Sequence, residues 1–259
     1  MKTAAGIFTS MQDAEKAVEK LRLSGFNEEN LVLLIPGLPQ QQLDAVPTED
    51  AEQPGMGKAI GSVVGGAVGL AAGAAMANVF LPGVGPVIAL GLGAGGLGVG
   101  GALAGAAGGG ALENLLVRGL PKDEIFLYED ALRQGRAVVI VLCRDDEHVD
   151  RSRNIMATGG AESIDAAREK WWIGLRDAEA AQYAAPRTAF EKDEQLYRSG
   201  FEAALHPEFR GKSPDQAAGA LQRRFPKICN EEPFRRGYAR GQSYASSFKD
   251  NQKTAAAKG

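Results

Sequence analysis

Apolar positions change rhythm several times along the chain, and each change predicts an element. Residues 3–9 are short, small and apolar and read as a first strand. Ser10 then stands three residues before Asp13, close to a capping box, and Ala14, Ala17, Val18 and Leu21 follow at helical spacing. This predicts a helix over 11–24, stopped at Gly25, whose place suits a left-handed cap. Leu31-Val32-Leu33-Leu34-Ile35 is a continuous apolar run, the mark of a buried strand. The same order returns later. Gly119-Leu120-Pro121 opens a helix over 121–134, with Asp123 and Glu124 where the helix dipole favours acids and Ile125, Tyr128 and Leu132 as its buried stripe. Gly135 ends it, and Ala137-Val138-Val139-Ile140-Val141-Leu142 is the strongest strand in the chain. Asp145-Asp146 starts a helix to about 157, Gly159-Gly160 stops it, and residues 162–165 read as a weak last strand. Two β-α-β units predict an α+β fold, a ferredoxin-like split β-α-β sandwich made from residues 1–36 and 119–168.

Between the halves, residues 37–56 are rich in Pro, Gln and acids and read as a linker. Residues 59–112 then carry no Asp, Glu, Lys or Arg. Glycine recurs at every fourth position as Gly57, Gly61, Gly65, Gly69 and Gly73. After the Pro82-Gly-Val-Gly-Pro86 break the rhythm resumes with Ala89, Gly93, Gly101, Gly105 and Gly109, interrupted by Leu97. Positions four apart share a helix face, so such glycines form a groove that another backbone can approach closely. The expectation for 57–118 is a glycine-zipper helical hairpin with arms at 58–80 and 86–112. Three settings compete. A bilayer-spanning hairpin fits the length and the absence of charge, with Lys58, Arg118 and Lys122 placing both flanks on the cytoplasmic side. A hairpin buried against other subunits fits the modest apolarity and Asn78. A flexible linker is disfavoured by the regular spacing.

Residues 169–250 have another pattern. Trp171-Trp-Ile-Gly174-Leu with Ala178, Tyr197-Arg-Ser-Gly200-Phe with Ala204, and Phe234-Arg-Arg-Gly237-Tyr with Gly241 repeat one motif at irregular intervals. In a helix the aromatic, the glycine and the second small residue share a face. Three helices packed through their glycines are expected, broken near Pro186, Pro207, Pro214, Pro226 and Pro233, with 251–259 as a disordered tail.

Charge adds an asymmetry. Residues 1–170 carry 14 basic and 21 acidic side chains, and residues 171–259 carry 15 and 11, a shift from −7 to +4 within a net charge of −3. Cys143 and Cys229 are far apart, which excludes a disulfide framework and a cysteine metal site and fits a reducing compartment. The N-terminus lacks the apolar core of a signal peptide, so export by that route is not expected. His148 lies among Asp145, Asp146 and Asp150, but these share a helix face poorly, and an acidic helix start is the better reading than a metal site. Neither His148 nor His206 has a cysteine neighbour to form a dyad. Gly91-Leu-Gly-Ala-Gly-Gly96 has the letters of a dinucleotide loop without the preceding strand or the later acid. No catalytic residue, metal ligand or cofactor site is assigned. Arg223, Arg224, Arg235, Arg236 and Arg240, with Lys227 and interleaved Phe234, Tyr238 and Tyr244, form a basic cluster with the composition of an anion site. Helix faces paired with Glu231 and Glu232 are the commoner outcome, and nucleic acid is not an expected partner.

Three stretches resemble a known family. Residues 6–26, from Gly6-Ile-Phe-Thr-Ser-Met to Leu-Ser-Gly-Phe26, are similar to the opening of the general stress protein 17M-like family of bacterial proteins. The glycine-alanine segment around Pro82-Gly-Val-Gly-Pro86 resembles theirs, as does Gly119-Leu-Pro-Lys-Asp-Glu-Ile-Phe-Leu-Tyr-Glu-Asp-Ala-Leu-Arg-Gln-Gly135 leading into a valine-rich strand. The resemblance covers about residues 4–166 and leaves 170–259 outside it. It implies a stress-associated bacterial protein and carries over no catalytic motif. The expected function is therefore non-enzymatic: anchoring in the cytoplasmic membrane, or self-assembly into a homo-oligomer, through the glycine hairpin. The alternative is a soluble cytoplasmic oligomer, a regulatory or small-ligand-binding module.

Overall fold

The computed structural model describes residues 2–36, 75–81, 85–91, 120–183 and 187–256. The element order is β1 (Lys2–Phe8), α1 (Met11–Leu23), a short 3-10 turn, β2 (Leu31–Pro36), β3 (Ala75–Leu81), β4 (Gly85–Gly91), α2 (Ile125–Arg133), β5 (Ala137–Cys143), α3 (Asp146–Thr158), α4 (Ile164–Gln182), α5 (Arg187–Leu205), α6 (Pro214–Arg224) and α7 (Glu232–Ala256). The chain is of the α+β class and divides into two compact units. One comprises Met1–Leu120 and Ala131–Ser163, the other Pro121–Asp130 and Ile164–Gly259.

The first unit is built on an antiparallel sheet of order β1-β5-β2-β4-β3. Strands β1, β5 and β2 pair in register, Ala4 with Val141 and Leu33 with Val139. One face carries Ala4, Phe8, Leu31, Leu33, Val139 and Val141, and α1 and α3 pack on it through Ala14, Val18, Leu21, Val149 and Met156. Ile7, Val32, Leu34, Val138 and Ile140 alternate with these along the strands and are buried as well. Burial of both faces explains why β2 and β5 read as unbroken apolar runs. Each such Val, Leu or Ile contributes about 1.5–3 kcal/mol by leaving water. Helix α1 starts where expected. Ser10 accepts the Asp13 N–H at 3.1 Å and donates to the Asp13 carboxylate at 2.8 Å. Asp145 caps α3 in the same way through the His148 N–H.

The uncharged stretch departs from its expected form. Gly57, Gly61, Gly65, Gly69, Gly73, Gly93, Gly101, Gly105 and Gly109 lie outside the described residues. Its centre, predicted as the inner ends of two helical arms, forms strands β3 and β4, paired from Ala75–Gly91 to Leu81–Gly85. Of the positions that continue the four-residue glycine spacing here, Ala77, Leu81, Gly85 and Ala89, one is a glycine. Val79, Val87 and Ile88 are β-branched and favour a strand. β4 also satisfies the second edge of β2, pairing Val32 with Gly91 and Pro36 with Val87.

Two further boundaries differ. Of the predicted strand at 162–165, a single bridge between Ile7 and Glu162 is present, and Ile164 already begins α4. The expected tail is helical to Ala256, because α7 continues through the Lys, Gln and Ala of its last turns.

In the second unit two of the three aromatic–glycine motifs do what their spacing implies. A Cβ on Gly200 would stand 2.0 Å from the Phe234 carbonyl oxygen, and one on Gly237 would stand 1.9 Å from that of Tyr197. Backbone of α5 thus lies directly on backbone of α7, and Gly241 extends the seam against Phe201. The motif on α4 differs: Gly174 faces open space, while Trp171 and Trp172 are buried and meet Phe201 at ring-centroid distances of 5.8 and 6.0 Å. Helix α6 is a fourth helix, absent from the expected three.

The glycine seam makes a paired prediction. Gly200→Ala and Gly237→Ala force the helices apart and destabilise the helical unit by about 3 kcal/mol or more, at the top of the range for overpacking. Gly174→Ala, with room for its methyl, stabilises it by up to about 1 kcal/mol through helix propensity. Denaturant unfolding of the three variants checks both signs.

Candidate functional site

The five arginines of the basic cluster are divided among different tasks. Arg240 on α7 donates from Nε to Glu179 of α4 at 2.9 Å. Glu179 is 1% exposed and also accepts the Tyr197 hydroxyl at 2.8 Å. This carboxylate ties three helices together, and burial together with its hydrogen bond raises the Tyr197 phenol well above its usual range. Arg236 pairs with Glu232 and lies over the Tyr183 ring, 5.1 Å from its centroid. Arg224 lies against Phe225. Arg223 and Arg235 are exposed and have no ion-pair partner among the described residues.

Arg235 lines a groove between α6 and α7 with a volume of about 450 Å³. The groove follows from local sequence. Ser213 and Gln216 form a reciprocal capping box, and Pro214 occupies the first turn, so α6 starts abruptly. After α6, Phe225 ends the helix and Glu231 is the last residue before α7. Leu221, Cys229, Phe234 and Tyr238 are the buried side chains of the lining. The Tyr238 hydroxyl donates to the carbonyls of Phe209 and Lys212, fixing one wall to the α5–α6 loop. The Cys229 thiol donates to Gln222 Oε1 at 3.0 Å. An apolar lining with a few polar groups is the usual build of a small-molecule site. The capping box Ser213-x-x-Gln216 was the sequence signal for α6, one wall of this groove.

The α5–α6 loop is itself closely tied. Arg210 forms a two-pronged pair with Glu129, at 2.9 and 3.0 Å, and caps the Leu205 carbonyl. Gln242 accepts the Gly211 N–H and donates to the Phe209 carbonyl, both at 2.7 Å. His206 is buried beneath this loop. Its Nδ1 accepts the Glu208 N–H at 3.1 Å, which puts the proton of the neutral ring on Nε2. Nε2 is buried without a partner among the described residues. Burial, followed by the charge of Arg224, holds the ring below its ordinary pKa of 6.5.

Elsewhere the candidate chemistry is structural. Asp145 caps α3 and binds the His148 ring at 2.6 Å, and Asp146 pairs with Lys2 at 2.5 Å. No group of three or more His, Cys, Asp or Glu among the described residues could hold a metal ion. Cys143 is buried in β5 beside Ser152, and burial raises its thiol pKa. No family model, curated protein or solved structure matches the chain.

Two predictions concern this network. Arg240→Leu strands the buried Glu179 carboxylate and destabilises the helical unit by about 3–5 kcal/mol, read from urea midpoints. His206 gives a pH dependence. Above about pH 6.5 the ring is neutral in both the folded and the unfolded chain. Below it the unfolded chain binds a proton that the folded chain refuses, so stability falls with pH until the folded ring also titrates. His206→Gln removes this part of the slope between about pH 7.5 and about pH 5.5, measured by urea unfolding at both values.

Proposed function

We propose that this is a non-enzymatic protein that assembles copies of itself through the uncharged segment between the halves of its α/β unit. The observation that carries the reading is β3. It is the outermost strand of the sheet, seven residues long and without a charge, and among the described residues no strand pairs with its outer edge. Proteins that keep such edges apart place Lys, Pro or a bulge on them. Here Asn78 is the one polar side chain. An antiparallel edge can pair with its own two-fold copy, joining two sheets into one. The order β1-β5-β2, with α1 and α3 on one face and the Glu162 bridge beside β1, supports reading the unit as a ferredoxin-like split β-α-β sandwich. The association with bacterial stress, and a place on the cytoplasmic side, rest on the resemblance of residues 4–166 and on the two unpaired cysteines.

Attachment to a membrane through the same segment is the second reading, favoured by its 54 residues without a charge. No helix among the described residues is long and apolar enough to cross a membrane.

Proline scanning of β3 tests assembly. Successive N–H groups of a strand point to opposite edges. Of Ala77→Pro and Asn78→Pro, one removes a bond to β4 and the other removes an outward donor. Sedimentation velocity is expected to give a wild-type particle larger than the 27.2 kDa chain, and a monomer with unchanged circular dichroism for the outward variant. A monomeric wild type, or two variants that assemble like it, contradicts the reading. Co-sedimentation with anionic vesicles separates the membrane alternative.

A further inference from the structure

We propose that the α6–α7 groove is a binding site for a small organic acid with an apolar body, held by Arg235 and Arg223. The inference is independent of assembly through β3, since it concerns the helical unit alone.

Three observations carry it. The first is size and lining. The groove measures about 450 Å³, within the range of roughly 300–1,000 Å³ that small-molecule sites occupy, and Leu221, Phe234 and Tyr238 give it buried apolar and aromatic surface. The second is the absence of a side chain at Gly219. This residue lines the groove in the middle of α6, and a Cβ built there would meet only Arg223 Nη1, at 3.8 Å. The glycine leaves this space open, and the Arg223 guanidinium stands at its border. The third is charge. Arg236 and Arg240, on the same helix as Arg235, are each matched with a carboxylate. Arg235 in the lining and Arg223 at the border are matched with none among the described residues. Asp215 is the one carboxylate of the lining, so the two guanidiniums outnumber it. The Gln222 carbonyl oxygen is already occupied by the Cys229 thiol and Asn230 amide, at 3.0 and 3.4 Å. The lining thus offers its strongest unused donors to an anion. A planar guanidinium matches a carboxylate or sulfonate through paired N–H bonds, and the apolar body of the ligand lies along Ala218, Gly219 and Leu221, above the buried Phe234 and Tyr238.

Anilinonaphthalene sulfonate is a suitable probe, because it joins an apolar body to one anionic group, and the uncharged phenylnaphthylamine supplies nearly the same body without it. Fluorescence titration of the full chain is expected to show one saturable sulfonate site and weaker binding of the neutral compound. Arg223→Gln with Arg235→Gln weakens the sulfonate about tenfold, as for loss of a charged hydrogen bond, and leaves the neutral compound unchanged. Gly219→Leu fills the groove, favours helix and abolishes binding of both. Ala218→Leu, also in the lining, does the same from the adjacent position and serves if the first variant fails to fold. Absence of a saturable site, sulfonate affinity unchanged by loss of the two arginines, or binding that survives the filled groove overturns the proposal. Equal binding of the charged and neutral probes to the wild type also overturns it, since the groove is then merely apolar.

Discussion

Strand β2 has neither a free face nor a free edge, and the α/β unit is arranged to meet that condition. Every side chain from Leu31 to Ile35 is buried, so each backbone N–H and carbonyl of the strand must find a partner within the protein. β5 supplies one edge. The other would be left open by a β-α-β pair alone, and β4 closes it from within the uncharged segment. That segment is therefore part of the sheet at its centre, whatever its outer parts do. The open edge is moved outward by two strands, to β3, which carries no charged residue. The function proposed for the protein follows from where this edge is left.

The helical unit meets a different constraint, the closeness of two backbones. At Gly200 and Gly237 there is no room for a methyl group, so α5 and α7 meet backbone against backbone along one seam. The aromatic residues preceding these glycines, Tyr197 and Phe234, are buried at the same crossing. With α7 held there, its next face is turned towards α6, and Phe234 and Tyr238 serve both the core and the groove. The polar links around Glu179 and Arg210 then fix the remaining helices and the loop over His206.

Much of this was legible in the sequence where local and tertiary demands agree. Ser10, Asp145 and the apolar stripe of α1 announced their helices, and the runs at 31–35 and 137–142 announced buried strands. The seam could be read from aromatic–glycine spacing, since side-chain volume must vanish where helices touch. The same rule misled at Gly174, because spacing does not say which face meets a neighbour. It misled further at 75–91, where glycine periodicity on either side was extended over residues whose β-branching and partner strand favour sheet. Glu162–Asp165 lost to the helix propensity of the residues after it. The groove was not legible: it depends on α6, signalled by a short capping box among prolines, and on which arginines remain unpaired. That distinction belongs to tertiary structure, since Arg235 and Arg236 are adjacent in sequence and opposite in role.

The middle of the uncharged segment completes the sheet. Backbone chemical shifts of residues 75–91 in the full chain test it most directly, together with contacts between Hα protons across the pairs of β3 and β4. Strand-type Cα and Cβ shifts are expected through Ala75–Leu81 and Gly85–Gly91, with cross-strand contacts in the register that opposes Ala77 to Ala89. Helical shifts over the same residues, with contacts between positions three and four apart, would contradict it and return the segment to a helical hairpin.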